Sequence, residues 1–482
     1  MTTTIDIPQG EPVADGTPPE AVATAIPRVF RELLANTLVT GVTSTFLWFA
    51  LTFWVYLETR SVVATGVIGG AFSISSAVLS PLFGNFVDRH RKQAALVATT
   101  ATSLLCFAVA TAVFVTVDSA DLLRLGSPWF WLLVGSTLLG SVGGQMRGIV
   151  LSTCVTLLVP DEQRDRANGM VGTITGVSFA VTSVFSGLVI GGLGMGWAYY
   201  ASLGLTVAAL GHVAKIRIDE PRPDLAAVGS HAAWGVDVRG AVDAIRAVPG
   251  LTMLILLAAF NNLLAGVFMA LMDAYGLSLV SVEAWGLLWG AISLAFVAGG
   301  LVVARRGLGR NPLRAVLAAN LVNWAVCSVF ALQSSIVILA VGMVVWLALI
   351  PVIEAGEQTI LQRSIAYERQ GRVFGFAQLV ENAASPLTAF LMAPIAEAVV
   401  IPFMTDGSGA RWIGEWFGTG PERGIALMFT LAGLLGVGVT VRTWRSRSYR
   451  RLALATATPG STDASSTPRV VALRTVEDCC AA

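Results

Sequence analysis

Apolar residues along this chain come in runs of about twenty, the length a helix needs to cross the hydrocarbon core of a bilayer. Six such runs fall near 34–57, 64–87, 94–117, 129–158, 168–191 and 196–216. Six more fall near 251–275, 283–304, 313–332, 336–362, 373–401 and 423–444, beyond a polar stretch. The pattern predicts an all-α membrane protein with twelve transmembrane helices in two bundles of six.

The basic residues test that count, because cytoplasmic loops carry an excess of Lys and Arg. With the N-terminus inside, the inner loops take Arg89, Arg91, Lys92, Lys215, Arg217, Arg222, Arg305, Arg306, Arg310, Arg314, Arg363, Arg369 and Arg372. The inner end of the last run adds Arg442, Arg445, Arg447, Arg450 and Arg451, while the outer loops hold only Arg60, Arg124, Arg411 and Arg423. An error of one helix would reverse the later loops, and none reverses. A multi-pass protein of the cell (plasma or inner) membrane with both termini cytoplasmic is expected.

Composition agrees. Mean hydropathy is +0.73 and charged residues make up 13%, about half the share usual in soluble domains. A net charge of +1, with no basic patch, gives no reason to expect a nucleic-acid partner. The lipid bilayer is the expected partner, and the protein is expected to be a monomer. Residues 1–27 lack the basic region and cleavage site of a secretory signal, and five cysteines give no disulfide framework. No cofactor is expected, since no phosphate-binding Gly-x-x-x-x-Gly-Lys loop and no His/Cys cluster occurs.

The expected organisation is a disordered N-tail over 1–30, a six-helix bundle over 31–216, a linker over 217–250, a second bundle over 251–450 and a disordered tail over 451–482. In the linker, Trp234, Val238, Val242 and Ile245 recur at helical spacing opposite Asp237, Arg239, Asp243 and Arg246. They predict a helix lying on the inner membrane surface.

The halves look like copies. Asp161–Gly169 follows the fourth run and Tyr367–Gly375 the tenth. Aligning Arg166 with Arg372 sets an offset of 206, which also pairs Glu162 with Glu368 and Gly169 with Gly375. Two six-helix repeats with a site at their interface is a transporter plan, in which each half rocks against the other.

The loop after the second run reads Gly84-Asn85-Phe86-Val87-Asp88-Arg89-His90-Arg91-Lys92. It resembles the signature of the major facilitator superfamily, and the resemblance implies that Gly84, Asp88, Arg89 and Lys92 form a gating loop between the halves. Gln358, Gln362 and Gln370–Phe374, with Gly418–Gly424, resemble the macrolide-efflux and enterobactin-exporter-like branch. The resemblance covers about 30–450 and implies alternating access and, most often, proton-driven export. The Gly-Pro pair of the family's antiporter motif is missing from helix five, which leaves the direction of transport open.

Ionisable groups inside apolar runs mark function independently of any family. Arg147 lies in helix four, Asp273 near the outer end of seven, Glu354 and Glu357 in ten, and Glu381 in eleven. Each would cost roughly 2.5–3.5 kcal/mol at the bilayer centre, so they must be paired or face a wet cavity. The offset matches Glu354 with Gly148, beside Arg147. Arg147 and Glu354 are therefore expected to face each other across the cavity, as a fixed ion pair or as part of the solute and proton site. Glu357 and Glu381 are expected to pair with Arg363, Arg369 or Arg372, and Asp273 to reach outer water. Remaining candidates for solute contact are Asn36 and Trp48 on helix one, Gln145 on four, Asn261 and Asn262 on seven, and Trp346 and Gln358 on ten. His212 is expected to snorkel at the inner end of helix six.

These features point to a secondary exporter that exchanges protons for a small amphipathic organic solute such as a drug or siderophore. A proton-coupled importer of a small metabolite shares nearly all of them. A membrane sensor on the same scaffold would need a folded soluble domain, for which neither tail is large enough.

Overall fold

The computed structural model describes residues 26–59, 62–124, 126–220 and 237–456. Twelve long helices dominate: α1 Arg28–Thr59, α2 Val62–Arg89, α3 Lys92–Thr116, α4 Pro128–Leu158, α5 Arg164–Gly192 and α6 Met195–Lys215, then α7 Leu251–Leu279, α8 Val282–Arg306, α9 Pro312–Val329, α10 Ile336–Ser364, α11 Gln370–Ile395 and α12 Pro421–Arg445. Each coincides with one of the apolar runs to within a few residues. Nine of the described helices meet both length and hydropathy requirements for crossing a membrane. The described residues contain no strand. That is expected, because every backbone donor in hydrocarbon must find its acceptor within its own segment.

The outer surface is apolar. Leu105, Leu188, Leu287 and Phe390 lie more than 60% exposed, as lipid-facing residues must. Exposed aromatics mark one end of the bundle: Trp129 and Trp131 open α4, Trp197 and Tyr200 open α6, and Trp412 and Trp416 project from a short helix, Ser408–Phe417. Such rings favour the membrane–water boundary. This is termed the aromatic face. The opposite, terminal face carries the start of α1, the linker helix and the end of α12.

Small residues let the halves meet. A methyl group on Gly84 of α2 would overlap the Gly371 carbonyl of α11, and one on Gly375 would overlap Ser80. Methyls on Gly169 of α5 and Gly300 of α8 would likewise overlap α8 and α5. The α2–α11 and α5–α8 seams are therefore backbone-to-backbone contacts, in the manner of small-residue packing between membrane helices.

Three segments depart from the expected picture or add to it. The linker helix, Val238–Ala247, packs one face on the protein, burying Ala241, Ala244 and Ile245, the latter two in the same core as Val373 and Phe374 of α11. Its proposed anchor Trp234 lies outside the described residues. The C-terminal segment remains helical from Arg447 to Thr456, with Leu452 buried against the bundle, because apolar positions continue past the last span. The amphipathic helix Ser408–Phe417 replaces an expected outer loop. Its apolar residues are too few for a spanning run, so it carries no signal of that kind in the sequence.

Candidate functional site

On the terminal face a latch of polar contacts, built from the end of α2 and the loop after it, joins the two halves. Asp88 ends α2 and is buried. Its Oδ1 accepts from the Gly371 backbone N–H at 2.7 Å, and its Oδ2 accepts from the Arg372 N–H at 3.0 Å and from Arg372 Nε at 3.2 Å. A carboxylate of one half thus caps the first turn of α11 in the other, where orphan donors and the helix dipole favour negative charge. The linker completes the arrangement: Asp237 takes Arg372 Nη1 at 2.6 Å. Glu220 accepts from the Lys92 backbone N–H at 2.6 Å and from Tyr367 Oη at 3.0 Å, and pairs with Lys92 Nζ at 3.6 Å. Arg89 Nε donates to Asn85 at 3.2 Å.

A second seam carries its own polar lock. Asn168 of α5 donates to Thr359 and to Gln362 of α10, each at 2.9 Å, and Gln362 reaches the Ser152 carbonyl of α4 at 3.0 Å. Asp165 Oδ2 accepts from the Leu308 N–H after α8 at 2.6 Å.

Arg147 is not in the cleft. It is 3% exposed and turns into the first bundle, donating to Thr100 of α3 at 2.9 Å and to Asn36 of α1. Asn36 in turn donates to the Ala209 carbonyl at 2.8 Å and lies 3.2 Å from His212 Nδ1. Arg147 thus ties α1, α3, α4 and α6, in a pocket lined largely by Ser and Thr. Gly148 is the position that approaches the other half, at Gln378 of α11. One residue turns a helix by about 100°, which is why the residue beside the aligned position faces elsewhere. Arg147 makes no ion pair with Glu354, contrary to expectation.

The second bundle holds a cavity lined by acidic side chains. It encloses about 240 Å³ between α7, α9, α10 and α11 and contains Glu354, Glu357 and Glu381. Its wall has no Lys, Arg or His. The arginines expected to answer Glu357 and Glu381 are used elsewhere or turned away: Arg363 pairs with Asp161 at 3.0 Å, Arg372 with Asp88 and Asp237, and Arg369 is exposed. Glu357 is 8% exposed, and its Oε1 has no hydrogen-bond partner.

The rest of the wall is a relay of amides and indoles. Trp324 Nε1 donates to Asn261 Oδ1 at 2.9 Å, and Asn261 Nδ2 donates to Asn320 Oδ1 at 3.1 Å. Asn320 Nδ2 and Asn323 Oδ1 are buried and unmatched. Asn262 Nδ2 donates to the Ala258 carbonyl at 3.1 Å. Trp346, Ile350 and Ile353 supply an apolar side. Pro351 sits in α10 one turn before Glu354 and against Gly172 of α5, a place where a helix lacks one backbone donor.

Of the sequence candidates, Glu354, Glu357, Glu381, Asn261, Asn262 and Trp346 meet in this cavity. The others do not. Asn36 holds Arg147. Trp48 stacks on Phe72 with ring centroids 5.0 Å apart, and Gln358 is half-buried on α10 outside the cavity wall. Asp273 is exposed but engaged, accepting from Trp285 and Trp289 Nε1 at 3.0 and 3.2 Å. The Gln145 side chain lies outside the described residues. Reading spans by charge alone missed Asn320, Asn323 and Trp324 on α9 and Asn382 on α11; the Asn-x-x-Asn spacing within an apolar run was the available signal. The described residues hold no cluster of His, Cys, Asp and Glu able to bind a metal ion.

Comparison with known proteins gives the same picture. A bacterial homologue of the iron transporter ferroportin, in an outward-facing state, superposes with a TM-score of 0.65 at 16% identity, over 87% of this chain and 100% of that one. The human organic anion transporter MFSD10 gives 0.64 at 14% identity over 86% and 99%. The proton:xylose symporter XylE gives 0.60 at 12% identity over 86% and 95%. At such identities the likeness shows the fold alone. No curated protein matches significantly. The Major Facilitator Superfamily description matches residues 33–389, about three quarters of the chain. With twelve helices in two halves and a polar cavity between membrane-embedded helices, the chain belongs to the major facilitator superfamily and is a multi-pass membrane transporter rather than an enzyme.

Proposed function

We propose that this transporter exchanges protons for a small amphipathic organic solute, with Glu354, Glu357 and Glu381 as the shared site. One observation carries the reading: three carboxylates line a single cavity whose wall has no basic side chain. Glu357 is buried in that wall without a counter-ion, and a carboxylate so placed must be neutralised. A proton does this, and so does the basic nitrogen of a bound solute. The two compete for the same oxygens, which is the coupling an antiporter needs. The indoles and isoleucines beside the carboxylates suit the apolar part of such a solute, and Asn261, Asn320 and Asn323 offer hydrogen bonds that fix its orientation.

Alternating access follows from the halves. The Asp88 latch and the Asn168–Gln362 lock close the terminal face, and release of both would open it. The resemblance to the macrolide-efflux and enterobactin-exporter-like branch favours export from the cell. In this reading the terminal face is cytoplasmic, the membrane is the plasma or inner membrane, and the monomer is the working unit.

Everted vesicles test the proposal. With the lumen acidified, vesicles carrying the wild-type protein accumulate a hydrophobic cation such as ethidium, and a protonophore abolishes the accumulation. Glu354→Gln lowers it at least tenfold. Accumulation by right-side-out vesicles in an outside-acid gradient would indicate import instead, and uptake indifferent to the gradient and to Glu354 would refute coupling.

A further inference from the structure

The two seams of the terminal face treat their arginines differently. On the α2–α11 side Arg372 meets Asp88 and Asp237, and Lys92 meets Glu220. Two of these three acids, Glu220 and Asp237, come from the linker.

On the α5–α8 side the cations outnumber their partners. A pocket of about 270 Å³ lies where the start of α5 meets the ends of α8 and α10, and its wall carries Arg166, Arg306, Arg310 and Arg363. Arg363 pairs with Asp161 at 3.0 Å. Arg166, Arg306 and Arg310 make no ion pair and no side-chain hydrogen bond among the described residues. The wall also holds Asp165 and Glu162. Asp165 accepts from two backbone donors, Leu308 N–H at 2.6 Å and Arg166 N–H at 2.7 Å, and the wall sets four guanidinium groups against the two carboxylates Asp165 and Glu162.

We propose that this pocket binds a phosphate group, which takes the place that the linker carboxylates hold on the other seam. Guanidinium forks match phosphate oxygens in geometry and charge, and basic pockets between membrane helices suit phospholipid headgroups. The pocket joins residues of both halves, Arg166 from the first and Arg306 and Arg310 from the second. An occupant would therefore hold the terminal face closed and bias the transport cycle. The phosphate can come from an anionic phospholipid of the surrounding leaflet or from a soluble phosphate. This inference does not depend on the carboxylate cavity.

The test uses the full-length protein in nanodiscs of pure phosphatidylcholine, with phosphatidylglycerol or inorganic phosphate added, and reads the thermal midpoint together with lipid retained in native mass spectra. The expected result is one phosphatidylglycerol retained per chain and a raised midpoint. Arg306→Gln with Arg310→Gln lowers that affinity at least fivefold, while the neighbouring Arg305→Gln, outside the pocket, behaves as wild type. A midpoint raised equally by inorganic phosphate in phosphatidylcholine keeps the site and assigns its occupant to solution. If neither addition acts on the wild type, or the paired substitutions change nothing, the inference is overturned. Should the paired variant not fold, the wild-type titrations with the two additives still decide.

Discussion

The two halves bury polar groups in opposite ways. In the first, Arg147 donates to two acceptors, Thr100 and Asn36, with only its Nε unmatched, and Asn36 is itself fixed by the Ala209 carbonyl and His212. In the second, Glu354, Glu357 and Glu381 share a cavity without one cation, and Glu357 Oε1, Asn320 Nδ2 and Asn323 Oδ1 lack partners. A buried group whose partners are all present rigidifies its surroundings. One whose partners are absent costs stability until something arrives, and proteins keep such groups where they work. The difference separates framework from site more sharply than charge or depth does.

Four substitutions probe that difference. The largest stability loss is expected at Asp88, an answered group. Asp88→Asn breaks a buried ion pair and weakens a cap, and removing one partner of such a pair costs about 3–5 kcal/mol. The unfolding midpoint falls, and cysteines placed near Gly371 become accessible to labelling from the terminal face. Next comes Arg147→Met. Two hydrogen bonds from a charged donor disappear, each worth about 1.5–3 kcal/mol, while solute affinity measured by equilibrium dialysis stays within about twofold. An affinity loss of tenfold would move Arg147 into the site and erase the contrast.

Trp324→Phe removes the donor to Asn261 but keeps the aromatic bulk, with an expected cost of about 1 kcal/mol and a several-fold weaker affinity, read by calorimetry. The smallest effect on the fold is expected at Glu357→Gln. It replaces a carboxyl that a proton keeps neutral at rest by a neutral amide of nearly the same shape, so stability stays within about 1 kcal/mol while transport falls. A destabilised Glu357→Gln protein would mean that the carboxylate is answered after all.

The helices were legible because hydrocarbon imposes a length and a composition on each span. Asp88 stands out in the sequence, but the acids that answer Lys92 and Arg372 beside it do not: Glu220 and Asp237 sit in a linker whose path no local pattern reveals. The cavity was half legible. A carboxylate inside an apolar run announces itself, so Glu354, Glu357 and Glu381 could be found, but their rotational setting could not. Symmetry alignment put Arg147 opposite Glu354 on the strength of one adjacent residue, and a turn of about 100° sent it into the first bundle. Neutral Asn320 and Asn323 are inconspicuous in sequence because Asn is unremarkable at any one position; they matter only through the Trp324–Asn261 relay that folding assembles.

Proton release on solute binding tests the central claim most directly. Purified protein in weakly buffered detergent, mixed with ethidium in the presence of a pH indicator, should acidify the solution. Its affinity should weaken on the order of tenfold for each unit of falling pH where one proton is exchanged. The protein carrying Glu354→Gln, Glu357→Gln and Glu381→Gln together should show neither effect. Proton release that persists in that triple variant, or wild-type binding that is the same at every pH, would contradict the account.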